Sequence, residues 1–81
     1  MNNFINAFIK HEGVSLTNYQ SEVVEILLEK NMTQINMAAH LFTAISTLSN
    51  NSKRVYNKFD VTSRMELQHK YTLFLKKLLE D

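Results

Sequence analysis

Residues 31–52 read NMTQINMAAHLFTAISTLSNNS and contain no Lys, Arg, Asp or Glu. About half of these residues are Asn, Gln, Ser, Thr or His. Such polar side chains are costly in hydrocarbon, so the stretch does not predict a membrane span despite its length. It is either a buried helix or a surface that contacts a polar partner without repelling it.

The composition predicts one small helical domain, residues 1–81. The chain has 81 residues, one Gly, no Pro and no Cys. The near absence of Gly and Pro leaves few residues that can form the tight turns of a β-sheet. The absence of Cys excludes a disulfide framework or a thiolate metal site. His11, His40 and His69 are too scattered to predict a metal site. We expect an all-α fold of four to five short helices, stabilised by association with a second copy.

Charged side chains are unevenly distributed along the chain. Residues 1–51 contain two lysines and four glutamates, whereas residues 52–81 contain seven basic and four acidic side chains. Most of the positive excess comes before the last helix, at Lys53, Arg54, Lys58 and Arg64. The start of the chain lacks the basic and apolar regions of a signal peptide, so we expect a soluble, cytoplasmic protein.

Apolar spacing and capping residues predict the helices that flank the uncharged stretch. A first helix ends at Gly13. A second helix begins at the N-cap Thr17 and can close at Asn31, which readily adopts the left-handed conformation. A last helix begins with a capping box at Ser63 and Glu66.

The last helix, over about residues 63–80, is predicted to join two copies of the chain. Its apolar face and the wide apolar face of residues 19–28 together exceed what one short chain can cover. A homodimer through the last helix would cover them. The residues expected at this interface are Leu67, Tyr71, Phe74, Leu75, Leu78 and Leu79.

Two interpretations of the uncharged stretch remain open. In the first, a single helix covers residues 33–49, with Thr33 as its N-cap. In the second, the chain turns near residues 42–44 and a new helix covers residues 44–59. The apolar and small side chains of Ile45, Leu48, Ser52, Val55 and Phe59 favour the second interpretation, because they form one continuous stripe.

The second interpretation is the layout of a helix-turn-helix DNA reader, over about residues 33–59. Short polar side chains near the start of the second helix can read base edges, and cations further along can reach phosphates. The side chains predicted to contact base edges and the nearby backbone are Thr43, Ser46, Thr47 and Asn50. The side chains predicted to hold phosphates are Gln34, Lys53, Arg54 and Lys58.

Residues 22–59 also match the positions of a known motif. LLEKN ends the preceding helix, and the matching positions that follow are Gln34, Met37, Ala38, Leu41, Leu48, Ser49, Arg54, Val55, Tyr56 and Phe59. On these residues the segment resembles the helix-turn-helix of the TrfB/KorA-type plasmid repressors and, more distantly, the PapB-type regulators and the trp repressor. Phe42 departs from the motif, which usually has Gly in the turn. The resemblance implies a dimeric transcriptional regulator, expected to act as a repressor.

The same order of helices is similar to that of the small YmgB/AriR-type connector proteins. That alternative implies a protein-interaction regulator without DNA binding, and an unbroken helix over residues 33–51 would favour it. No Gly-rich phosphate loop, paired carboxylates or nucleophile–base pair is found in the sequence, so we expect no enzyme activity. The expected partners are double-stranded DNA and a second copy of the chain, with no membrane contact, cofactor, metal or evident small-molecule effector.

Overall fold

Five α-helices form from the apolar stripes and capping residues of the sequence. The computed structural model describes residues 2–80, and this part of the chain contains no β-strand. The helices are α1 (Asn3–Glu12), α2 (Asn18–Glu29), α3 (Gln34–His40), α4 (Ile45–Lys58) and α5 (Arg64–Glu80). The all-α expectation is confirmed. Within residues 2–80, no helix combines the length and the apolar character needed to cross a membrane.

The core lies where α4 and α5 pack against the other helices. α4 packs on α2 and α3, whereas α5 packs on α1 and α2. The Phe8 ring stacks on Phe59 with centroids 5.3 Å apart, and it meets Tyr71 and Phe74 at 5.2 and 5.5 Å. Other buried apolar side chains are Ile5, Val23, Val24, Leu27, Met37, Leu48, Val55 and Leu67. These contacts bury the first half of α5 inside the single chain.

The N-caps expected for α2 and α3 are confirmed. Thr17 and Gln20 form a reciprocal capping box, in which each side chain accepts the backbone N–H of the other at 3.1 Å. At α3, the hydroxyl of Thr33 accepts the N–H of Asn36 at 3.3 Å. These bonds satisfy backbone donors that have no partner within the helix.

The capping box expected at Ser63 and Glu66 forms only in part. The N–H of Glu66 donates to the Ser63 hydroxyl at 3.2 Å, but the Glu66 carboxylate accepts the backbone N–H of Thr62 at 2.6 Å and also its hydroxyl. The Thr62 hydrogen bonds hold the pKa of Glu66 below its ordinary value. The Glu66 carboxylate therefore holds Thr62, the residue before the cap, through two hydrogen bonds.

Three helices end with a residue in the left-handed conformation. These residues are Gly13 after α1, Phe42 after α3 and Asp60 after α4. At α1, Gly13 has a φ of +67°, and the N–H groups of Gly13 and Val14 donate to carbonyls of the last turn at 3.1 and 3.3 Å. This hydrogen-bond pattern satisfies carbonyls that the helix itself leaves free.

Replacing Gly13 with alanine should lower the free energy of unfolding by about 1 kcal/mol. Apart from Gly13 and its two chain neighbours, no atom of residues 2–80 lies within 4 Å of the position that the new methyl group would occupy, so the effect arises from the positive φ. Gly13→Asn is the matched control and should cost less, because asparagine tolerates this conformation better. Urea denaturation measures both variants. Equal losses for alanine and asparagine would contradict the backbone explanation.

The end of α2 differs from the expectation for Asn31. The cap residue is Lys30 in an extended conformation (φ −105°, ψ 134°), and Asn31 is not left-handed. The guanidinium of Arg64 supplies the missing donors. Its hydrogen bonds go to the carbonyls of Ile26 (3.3 Å), Leu27 (3.1 Å), Lys30 and Met32 (2.7 Å). The Asn31 prediction was wrong because a distant side chain closes this helix.

Candidate nucleic-acid interface

The uncharged stretch is divided into two helices by a tight connection of residues 41–44. In this connection the N–H groups of Phe42 and Thr43 donate to carbonyls of α3 at 3.2 and 3.0 Å. Phe42 adopts a φ of +54°, which turns the chain away from the α3 axis. The single helix over residues 33–49 is therefore wrong, and the alternative turn is confirmed.

One face of α4 is uncharged near its start and basic further along. It carries the exposed side chains of Ser46, Thr47, Asn50, Lys53 and Arg54, which we call the α4 face. Their spacing of i, i+1, i+4, i+7 and i+8 places them on one side of the helix. Neither α3, the turn nor α4 contains an acidic residue. The α4 face can therefore hydrogen-bond a polar partner without repelling an anionic one.

Gln34 and Lys53 come together at a cavity beside the α4 face. The cavity has a volume of about 320 Å³ and is lined by residues of α2, α3 and α4, by Thr62 and by the first residue of α5. Its hydroxyl groups come from Ser49, Ser52, Tyr56 and Thr62. Burial raises the pKa of Tyr56 above its ordinary value. A tyrosine hydroxyl is protonated at neutral pH even without this shift, so it can donate a hydrogen bond here. Two side chains that were predicted to contact phosphate, Gln34 and Lys53, thus share a surface with hydroxyl groups. These hydroxyl groups were not assigned to the site from the sequence.

Thr43 and Lys58 are placed differently from the rest of the predicted site. Thr43 lies in the turn and is half-buried. The Nζ of Lys58 donates to the carbonyl of Ser15 at 2.6 Å and to Oε1 of Gln20 at 2.9 Å. These bonds tie the last turn of α4 to the start of α2. The assignment of Lys58 to a phosphate stays a prediction, and these two bonds give its ammonium group a role within the chain.

The α5 residues predicted at a dimer interface fall into three groups. Leu67 and Tyr71 are buried in the core of the single chain, which removes them from a surface that a second copy could reach. Phe74 and Leu75 are half-buried against the same core. Leu78 and Leu79 remain exposed at 43% and 76%. The correction has a simple cause, since α1 and α2 cover the apolar face that the sequence left without a partner.

The turn residue Phe42 combines an unfavourable backbone conformation with an exposed ring. A bulky side chain is rarely left-handed, because its Cβ approaches a backbone carbonyl. The ring is 96% exposed, so packing within the chain does not offset this cost. Such residues tend to gather at binding sites. In the sequence Phe42 was visible only as a departure from the expected glycine, because positive φ and exposure are properties of the fold.

Replacing Phe42 with glycine should raise the free energy of unfolding by about 1 kcal/mol, because glycine adopts the left-handed conformation without strain. Phe42→Ala is the matched control, since it removes the exposed ring but keeps the strained backbone. It should change stability by less than about 0.5 kcal/mol. Thermal and urea denaturation measure both variants. A loss of stability in Phe42→Gly would show that the ring packs within the chain.

The α4 face is the part of the molecule that most clearly suggests a function. The chain matches no protein-family model, no curated protein and no solved structure. A functional proposal therefore rests on the geometry of the turn and on the chemistry of the α4 face.

Proposed function

We propose that the chain is a dimeric DNA-binding transcriptional regulator, and that α4 reads its operator as the second helix of a helix-turn-helix. The observation that carries this proposal is the turn at Phe42, after which α4 presents uncharged hydrogen-bonding groups followed by cations. A helix of this kind fits the major groove, where base edges differ in their donors and acceptors. Repression is the expected outcome of operator binding.

The α4 face divides into two kinds of contact. Ser46, Thr47 and Asn50 meet base edges, because hydroxyl and amide groups can match base donors and acceptors. Lys53 and Arg54 meet phosphates, which position the protein and supply most of the affinity at low salt. Gln34 at the start of α3 adds a backbone contact across the cavity that it shares with Lys53.

The dimer is proposed to form through the exposed end of α5. Leu78 and Leu79 are the predicted interface residues that stay accessible, and Leu73 joins them at 52% exposure. A two-fold dimer presents two copies of α4, so its operator should contain two half-sites related by the same symmetry.

The alternative proposal is a protein-interaction regulator without DNA binding. It predicts an unbroken helix over residues 33–51. The chain is instead divided at Phe42, with separate helices on either side. The division favours the DNA-reading proposal. Exposed apolar side chains on α5 are common to both proposals, so they do not distinguish them.

The proposal is tested by fluorescence anisotropy against a pool of random DNA duplexes, followed by selection and sequencing of the bound fraction. Four phosphate-contacting cations per dimer should weaken binding by about 100-fold between about 50 and 200 mM salt. The selected sequences should contain a two-fold symmetric site. Absence of binding at the lower salt concentration would overturn the proposal.

Asn50→Ala and Thr47→Ala should change which sequences are selected. Loss of a base-edge contact should relax the preference at one position of each half-site by about 1–3 kcal/mol, while binding to random DNA changes little. Selection with each variant protein measures the preference position by position. Asn57→Ala, also exposed on α4 but one turn beyond the basic side chains, is the control. An unchanged consensus in both α4-face variants would place base recognition elsewhere.

A further inference from the structure

A broad groove lies on the side of the molecule formed by α2 and the turn. It has a volume of about 760 Å³, and its lining includes Glu22, Glu25, Ile26, Leu41 and Phe42. Glu22 is exposed and Glu25 half-buried, and both share the groove with the exposed ring of Phe42. The groove therefore offers two carboxylates together with one unpacked aromatic surface.

This combination selects against DNA and in favour of a basic, partly apolar segment of protein. Carboxylates in the groove repel phosphates, whereas an ammonium group can pair with a carboxylate and also lie against an aromatic face. Apolar side chains next to such cations could cover the Phe42 ring. The chemistry of the occupant is thus a helix or strand that carries lysine or arginine beside leucine-like residues.

The last turns of α5 have this chemistry. Residues 73–80, which we call the α5 tail, expose Leu73, Leu78 and Leu79 at 52%, 43% and 76%. They also expose Lys76 and Lys77, against one acidic side chain, Glu80. Within its own chain the tail lies beside His11 at the end of α1, and none of its residues lines the groove. The tail and the groove of one chain are therefore complementary but separate.

We infer that the α5 tail of one copy docks in the groove of a second copy, and that the exchange is reciprocal. Lys76 and Lys77 meet Glu22 and Glu25, while the tail leucines cover the Phe42 ring. Two reciprocal contacts close a two-fold dimer, whereas a single one-way contact would build an open chain of molecules. The inference rests on the dimer of the proposed function and is independent of its DNA binding.

Charge reversal tests the pairing of tail and groove. In sedimentation equilibrium, Glu22→Lys/Glu25→Lys and Lys76→Glu/Lys77→Glu should each raise the dimer dissociation constant by about tenfold or more, because like charges then face each other. An equimolar mixture of the two variants should regain dimers within about threefold of the parent affinity, since each now complements the other. A mixture that stays monomeric, or single variants that dimerise like the parent, would overturn the inference. A parent chain that stays monomeric at all concentrations would do the same.

Phe42→Ala provides a second readout, which does not alter charge. It should raise the dimer dissociation constant by about tenfold, because the ring packs only against the second copy. The melting temperature of the monomer, measured well below the dissociation constant, should stay unchanged. If Phe42→Ala kept the parent dimer but weakened binding to a random duplex pool, the ring would contact DNA and the inference would fail. DNA binding and dimerisation are measured separately, so a failure of the docking arrangement leaves the DNA-reading proposal standing.

Discussion

Replacing Arg64 with alanine should lower the free energy of unfolding by about 2–3 kcal/mol, which corresponds to about 10–20 °C in melting temperature for a chain of this size. The guanidinium donates to four carbonyls at and after the end of α2. Two of these carbonyls have a second donor, since the Lys30 N–H donates to Ile26 at 3.0 Å and the Gln68 side chain donates to Leu27 at 2.9 Å. Alanine would leave the other two carbonyls, those of Lys30 and Met32, without the donor that Arg64 supplies.

The Arg64 substitution should also loosen α3. The same guanidinium holds the carbonyl of Met32 at 2.7 Å and lies 3.6 Å from Sδ of Met37, so it fixes the segment that leads into α3. Amide hydrogen exchange of α3 should therefore be faster in Arg64→Ala. Arg54→Ala is the matched control, because it removes the same charge from an exposed position and should change stability by less than about 0.5 kcal/mol. Equal effects of the two substitutions would contradict the capping role.

Replacing both Lys53 and Arg54 with alanine should weaken binding to random duplexes by about 100-fold at about 100 mM salt. Each cation displaces roughly one condensed counterion. In a dimer that lacks all four, the slope of log affinity against log salt concentration should therefore be smaller in magnitude by about four. Both side chains are exposed on α4, so the folded state should keep its stability. Anisotropy titrations over a series of salt concentrations measure affinity and slope together.

Lys10→Ala/Lys30→Ala is the matched control for this pair. It removes the same charge from exposed positions on α1 and at the end of α2. It should change affinity by less than about threefold, because distant exposed charges are largely screened at this salt concentration. If the two double variants lost the same affinity and the same slope, binding would reflect total charge, and the role of the α4 face would be refuted.

The basic residues of the second half of the chain show where sequence reasoning reaches its limit. In the sequence these residues are seen only as an excess of positive charge. In the fold, Arg64 closes α2, Lys58 joins α4 to the start of α2, and Lys70 binds the Phe59 carbonyl and Glu12, each at 2.8 Å. Lys53 and Arg54 remain exposed on α4. Charge was predictable, but the position of each cation relative to distant carbonyls was not.

Helix ends show the same contrast at the level of the backbone. The positive φ at Gly13 was predictable, because glycine adopts it without cost. Phe42 and Asp60 adopt the same conformation after α3 and α4, although an L side chain disfavours it. Both positions are determined by the directions in which the following helices must run to pack on the core.

The sequence by itself determined the all-helical class, the N-caps at Thr17 and Thr33 and the end of α1. These features depend on apolar spacing and on groups within a few residues of one another, which can be read along the chain. It left open whether residues 31–52 form one helix or two. The tertiary structure decided that question, as well as the burial of Leu67 and Tyr71 and the exposure of Phe42. Burial depends on which faces meet across the core, and that is settled by packing between segments distant in sequence.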